Sequence, residues 1–129
     1  MAAGIQIRKA HFPGRAPIDA YGEGGFRFAD MSHRGAILCL PSGVYGWEPG
    51  NPDALALADF DRVLAEAADI EILLVGTGRE IRRLPQPLRE ALSAARISTD
   101  SMSTGAAART YNVLLAEDRA VAAALVAVD

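Results

Sequence analysis

The sequence predicts an α/β domain with a mixed central sheet, crossover helices and a small antiparallel β layer. Three observations carry that prediction. The first half is a series of short apolar or alternating segments cut by glycine and proline. The second half alternates branched apolar runs with segments of helical periodicity, and an apolar run over Ala120–Val128 closes the chain. Closely spaced strands make hairpins, whereas strand–helix–strand units make parallel pairs with right-handed crossovers, so the sheet is expected to be mixed.

The elements follow in order. Pro13-Gly14 and Pro17 punctuate the opening, and Ile18–Tyr21 has strand character. Gly22-Glu-Gly-Gly25 turns the chain into Phe26-Arg-Phe28, whose alternation suits a half-buried strand. Ala36–Leu40 reads as a strand buried on both faces, stopped by Pro41-Ser-Gly43. Val44–Trp47 is a further strand, ended by Glu48-Pro-Gly-Asn-Pro52. Phe60, Val63, Leu64 and Ala67 fall at helical spacing, with Asp59 and Asp61 where a helix N-terminus favours negative charge. Ile70–Val75 is a strand closed by Gly76-Thr-Gly78. Pro85 and Pro87 open a helix with apolar positions Leu88, Ala91, Leu92 and Ala95. Ile97–Thr99 is a short strand. Ser103 or Thr104 caps a third helix with the inward stripe Ala107, Tyr111, Leu114 and Leu115. The final apolar run is read as a closing strand.

Composition bounds the function. The chain has 129 residues, half of them hydrophobic, and a formal net charge of -3. That length fits one domain over residues 1–129, with 1–16 as a less ordered N-terminal arm. A mildly acidic chain lacks the basic field that a nucleic-acid surface needs. One cysteine cannot form an internal disulfide, which points to a reducing compartment. The opening residues do not read as a signal peptide, and no apolar run approaches the roughly 20 residues of a membrane span. Cytoplasm is the expected location.

Complete catalytic signatures are missing. Gly22-Glu-Gly24 and Gly76-Thr-Gly78 lack the third glycine of a dinucleotide fingerprint, and Lys9, the sole lysine, is not in a phosphate loop. Ser42 is not in a hydrolase elbow. His11, His33 and Cys39 are too scattered for a metal site, and Cys39 reads as an inert core thiol. No metal and no cofactor is expected. The remaining pocket hypothesis joins three turns at one sheet edge: Pro41–Gly43, Gly76–Gly78 and Asp100–Gly105. Ser42, Gly43, Gly76, Thr77, Gly78, Arg79 and Thr104 would then bind a small anion, although such residues also simply make tight turns and caps. Tyr45 and Trp47 are either interface anchors or core, and Arg82 and Arg83 belong to a basic stretch able to meet an acidic partner surface.

Three stretches together resemble a known family: Pro41-Ser-Gly-Val-Tyr-Gly-Trp47, Ile72-Leu-Leu-Val-Gly-Thr-Gly78, and Met102 to Arg119 with its Thr110-Tyr-Asn segment. The resemblance is to the Mth-domain family of small α/β proteins, a domain of unknown function, and runs from about Tyr21 to the C-terminus. It implies a compact α/β fold and an uncharacterised role; mitochondrial members serve as assembly factors for respiratory complex I without known catalysis. Without a transit segment, this chain looks like a bacterial-type cytoplasmic member. Some relatives carry a cysteine where this chain has Ala106–Ala108, so thiol chemistry there would not carry over. Two readings stay open. One is a non-enzymatic assembly factor binding an unidentified protein partner. The other is a small-molecule or anion-binding protein, or an enzyme, using a crevice formed by the Ser42, Gly76–Gly78 and Ser101–Thr104 turns.

Overall fold

The computed structural model describes residues 12–129. Six strands form the main sheet: β1 Phe12–Pro13, β5 Ala36–Leu40, β6 Gly43–Trp47, β7 Ile72–Gly76, β8 Ser98–Met102 and β9 Val121–Leu125, in the order β1-β6-β5-β9-β7-β8. β9 is parallel to β7, and β7 to β8; the pairs from β9 through β5 and β6 to β1 are antiparallel. A second sheet consists of β2 Ala20–Gly22, β3 Gly25–Phe28 and β4 Met31–Arg34, all antiparallel. The mixed sheet and the small antiparallel layer are those expected from the sequence.

Three α-helices complete the fold: α1 Asp61–Ala65, α2 Gln86–Ala94 and α3 Thr104–Ala116. The connection β7–α2–β8 steps outward in the sheet, and β8–α3–β9 steps back across β7. Two right-handed crossovers of opposite direction must lie on opposite faces. The cores agree. Leu88 and Leu92 of α2 join Phe60, Val63, Leu73, Val75 and Ala124 on one face. Ala107, Ala108 and Tyr111 of α3 join Phe26, Phe28, Leu74, Ala123 and Leu125 on the other. β9, enclosed by β5 and β7, is buried at all five residues, which is why its sequence has no polar alternation.

Some elements differ from the sequence reading. β4 has no signal in the sequence, because Met-Ser-His-Arg carries no branched residue; pairing to β3, with His33 opposite Phe26 and Met31 opposite Phe28, makes it a strand. β8 runs on to Met102, so Asp100, Ser101 and Met102 are ladder residues opposite Leu74, Val75 and Gly76 and not part of a turn. Ser103 is the cap of α3, its hydroxyl accepting from the Ala106 amide at 3.3 Å. Of the expected N-terminal arm, residues 1–11, His11 among them, lie outside the described residues. From Phe12 the chain is fastened: β1 pairs with β6, Arg15 donates to the carbonyls of Arg119 and Val121, and Ala16 and Ile18 are buried.

Candidate functional site

Ligands of open α/β sheets sit beyond the carboxyl ends of parallel strands, where neighbouring connections leave toward opposite faces. Here that point lies between β7 and β8. The protein itself fills it. The Thr77 amide donates to the Met102 carbonyl at 2.9 Å and the Thr104 amide to Gly78 at 2.8 Å. The Thr104 hydroxyl accepts from the Gly78 amide at 3.0 Å and donates to the Val126 carbonyl at 2.7 Å. Val126 in turn donates to the Gly76 carbonyl at 2.9 Å. Thr104 and Thr77 are buried. A Cβ on Gly76 would stand 2.8 Å from the Thr104 Cα, so this glycine lets α3 seat directly on β7. The Gly-Thr-Gly turn and Thr104 therefore close the sheet edge; they do not leave an open cradle.

Ser42 and Gly43 do not join them. β5 runs antiparallel to β9 with Cys39 opposite Ala123, whereas Gly76 stands opposite Leu125. The Pro41–Gly43 turn thus falls at the other end of the strands, roughly 16 Å away for a five-residue strand at ~3.3 Å per residue. The three turns do not converge, and the crevice expected from them is corrected on that ground. Instead, Ser42 anchors its hairpin: its amide and hydroxyl donate to the Glu66 carboxylate at 3.0 and 2.6 Å, and its hydroxyl also meets the Tyr45 hydroxyl at 2.5 Å. Arg79 is exposed, its guanidinium reaching the Asp129 carbonyl at 3.5 Å.

The aromatic pair resolves toward the core. Trp47 is buried, donates its ring N–H to the Asp59 carbonyl at 2.8 Å and meets Phe60 edge-on at 5.4 Å. It is not an exposed anchor. Tyr45 is half-buried beneath the Arg62 guanidinium, 4.4 Å from the ring centroid. Asp59, expected at a helix N-terminus, lies in a short first turn there and accepts from the Gly50 and Ala56 amides, tying down the loop before α1.

Arg82 and Arg83 lie on a cleft of about 330 Å³ between residues 52–55 and 82–85, walled by Leu55 and Leu84. Its base is Thr77, whose hydroxyl donates to the Glu80 carbonyl at 2.7 Å and accepts from the Arg82 amide at 3.0 Å. These bonds fix the loop that carries Ile81, 69 % exposed. Arg82 faces Asp53 at 3.8 Å, an exposed pair of little energetic weight.

Two titratable groups are buried beneath α3. Desolvation pushes the Cys39 thiol up to about 12, against a hydrogen bond from Tyr111 that lowers it. The Tyr111 hydroxyl is raised too, chiefly by burial. Both are neutral at physiological pH and serve packing. Among the described residues no group of three histidine, cysteine or acidic side chains could hold a metal ion, and no helix is long and apolar enough to cross a membrane.

Fold and surface thus define a small α/β protein with a sealed sheet edge and an arginine-bordered surface cleft. Residues 18–126 match the family described as a protein of unknown function (DUF498/DUF598). The chain belongs to that family. It is 42 % identical over 118 residues to an uncharacterised protein of Rhodobacter capsulatus, covering 92 % of this chain and 90 % of that one. It is 30 % identical to NADH dehydrogenase [ubiquinone] 1 alpha subcomplex assembly factor 3 of mouse, covering 95 % of this chain and 66 % of the mouse protein. Among solved structures, a Bartonella henselae protein described as an outer membrane protein superposes with a TM-score of 0.89 at 66 % identity, covering 92 % of this chain and all of that one. A Bordetella pertussis protein described as a Mth938-like domain superposes with a TM-score of 0.74 at 30 % identity, covering 86 % and 85 % of the two chains. The resemblance read from the three sequence stretches is thereby established.

Proposed function

We propose that the protein is a single-domain, non-catalytic binding factor of bacterial type that acts in the cytoplasm and holds another protein during assembly of a larger complex. The supporting observation is the 77–85 loop: a fixed backbone presents Ile81 on the same exposed loop as Arg79, Arg82 and Arg83, beside a cleft with leucine walls. A large exposed apolar side chain on a loop that carries three arginines and one glutamate has the make-up of an interface anchor. Kinship with the mouse assembly factor supports the same role, carried to this chain as a proposal, with a respiratory complex as the first assembly to examine.

A photo-crosslinking residue placed at Ile81 in native cells tests the reading. A discrete adduct with another protein, lost when Arg82 and Arg83 are replaced by glutamate, is expected. Adducts that survive those replacements would sink it. Burying one isoleucine is worth about 1.5–3 kcal/mol, so Ile81→Ala should weaken the complex at least about tenfold. Cell fractionation tests the compartment: recovery with the outer membrane, where the description of the Bartonella protein would put it, overturns a cytoplasmic site.

A further inference from the structure

We propose a second site, independent of the docking loop: the outer face of the small sheet binds a compact multi-oxygen anion of the phosphate class. Side chains alternate across a strand, so the partners of the inward Phe26 and Phe28 leave Arg27, Ser32 and Arg34 on the outer face. Arg27 stands directly opposite Ser32, and Arg34 lies two residues further along β4. That places the two arginines at a cross-strand diagonal, with roots roughly 7–8 Å apart, close enough for both guanidinium groups to reach one anion. All three line a basin of about 440 Å³, inside the ~300–1,000 Å³ range of ligand sites. Gly22, where an added Cβ would meet nothing within 4 Å, leaves the basin open on the β2 side, and Gly25 lets β4 approach β3 closely beneath it.

Neither guanidinium has a hydrogen bond or ion pair among the described residues. Two like charges set side by side with no carboxylate bonded to either repel, and a bound anion relieves that repulsion. A carboxylate has two oxygens in one plane and suits one guanidinium fork. A tetrahedral phosphoryl group offers oxygens to two forks arriving from different strands and to the Ser32 hydroxyl. Glu23, on the rim, opposes the anion and sets a limit on affinity.

Amide NMR spectra recorded with added inorganic phosphate, at constant ionic strength, test the proposal. Saturable shifts confined to β2–β4 are expected, weakened about tenfold or more by Arg27→Gln or Arg34→Gln and strengthened by Glu23→Gln. These side chains are exposed, and unchanged thermal melting of the variants verifies their folding. Sedimentation with phosphatidylglycerol or phosphatidylcholine vesicles separates the sources of the phosphoryl group. Phosphate shifts without vesicle binding assign a soluble ligand, and shifts with arginine-dependent binding to phosphatidylglycerol assign a lipid headgroup. Absence of shifts at millimolar phosphate, shifts that persist in the double arginine variant, or equal binding of a glutamate-rich peptide free of phosphate would each overturn it.

Discussion

The side-chain amide of Asn112 satisfies both backbone groups of Ile18, accepting from its N–H at 2.8 Å and donating to its C=O at 2.8 Å. Residues 94 positions apart are thereby joined as two strands would be, although one partner is a helix side chain. The pair fastens the segment entering β2 to the middle of α3. Its neighbours act similarly: Thr110 returns its hydroxyl to the Ala106 carbonyl, and Tyr111 reaches Cys39. The Thr-Tyr-Asn segment that carried the family resemblance is a structural clasp.

Asn112→Asp keeps the acceptor but loses the donor, leaving the Ile18 carbonyl facing a carboxylate. A half-buried unpaired group costs about 1–3 kcal/mol, to be read from urea midpoints. Hydrogen exchange should rise first at Ile18 and along β2, before the main sheet is affected.

Gly76→Ala sets a Cβ against the Thr104 Cα backbone atom and the Leu125 side chain at 2.8 and 3.0 Å. Because backbone cannot swing away, a loss of about 1–3 kcal/mol is expected. Gly50→Ala, with nothing within 4 Å, is the control and should leave the melting temperature within a degree or two of the parent.

Thr77→Val preserves shape but leaves the Arg82 amide without its acceptor. A cost of about 1–3 kcal/mol is expected. The further consequence is mobility of the 78–85 loop. Affinity for the cross-linked partner should fall even where the fold is intact by circular dichroism, and an unchanged affinity would separate the loop from binding.

The Cys39 thiol, held near 12 by burial, ionises in the unfolded chain from about 9 upward. Its folded value is raised, so the stability it contributes is present below pH 9 and lost as pH climbs toward 12. Stability curves of the parent should fall along that alkaline limb, and Cys39→Ala should flatten the fall. At pH 8 the native thiol should resist alkylation until denaturant is added; rapid labelling of native protein would contradict the burial argument.

Much of the fold was legible because it depends on local chemistry. Ala36–Leu40 and Ile72–Val75 are apolar over their length, and the prolines at 85 and 87 mark a helix start. β4 was not, since Met31, Ser32, His33 and Arg34 become a strand only by pairing with β3. The arginine pair is illegible in the sequence for the same reason: without β4, nothing sets Arg34 on the same face as Arg27. Sequence also showed Ser42, Thr77 and Thr104 as small polar residues in turns. Their grouping failed because strand direction is a property of the sheet.

By itself, then, the sequence determined the α/β class, the family and the burial of Cys39, since hydrophobic period and motif spacing are written along the chain. Tertiary structure alone decided which edge each turn occupies, that Thr77 and Thr104 seal the crevice, that Trp47 is core, and which arginines share a face. The placement of the turns depends on β9 lying antiparallel to β5 and parallel to β7, and the shared arginine face on the pairing of β3 with β4; the β5–β9 pairing joins segments more than eighty residues apart, which no local pattern encodes.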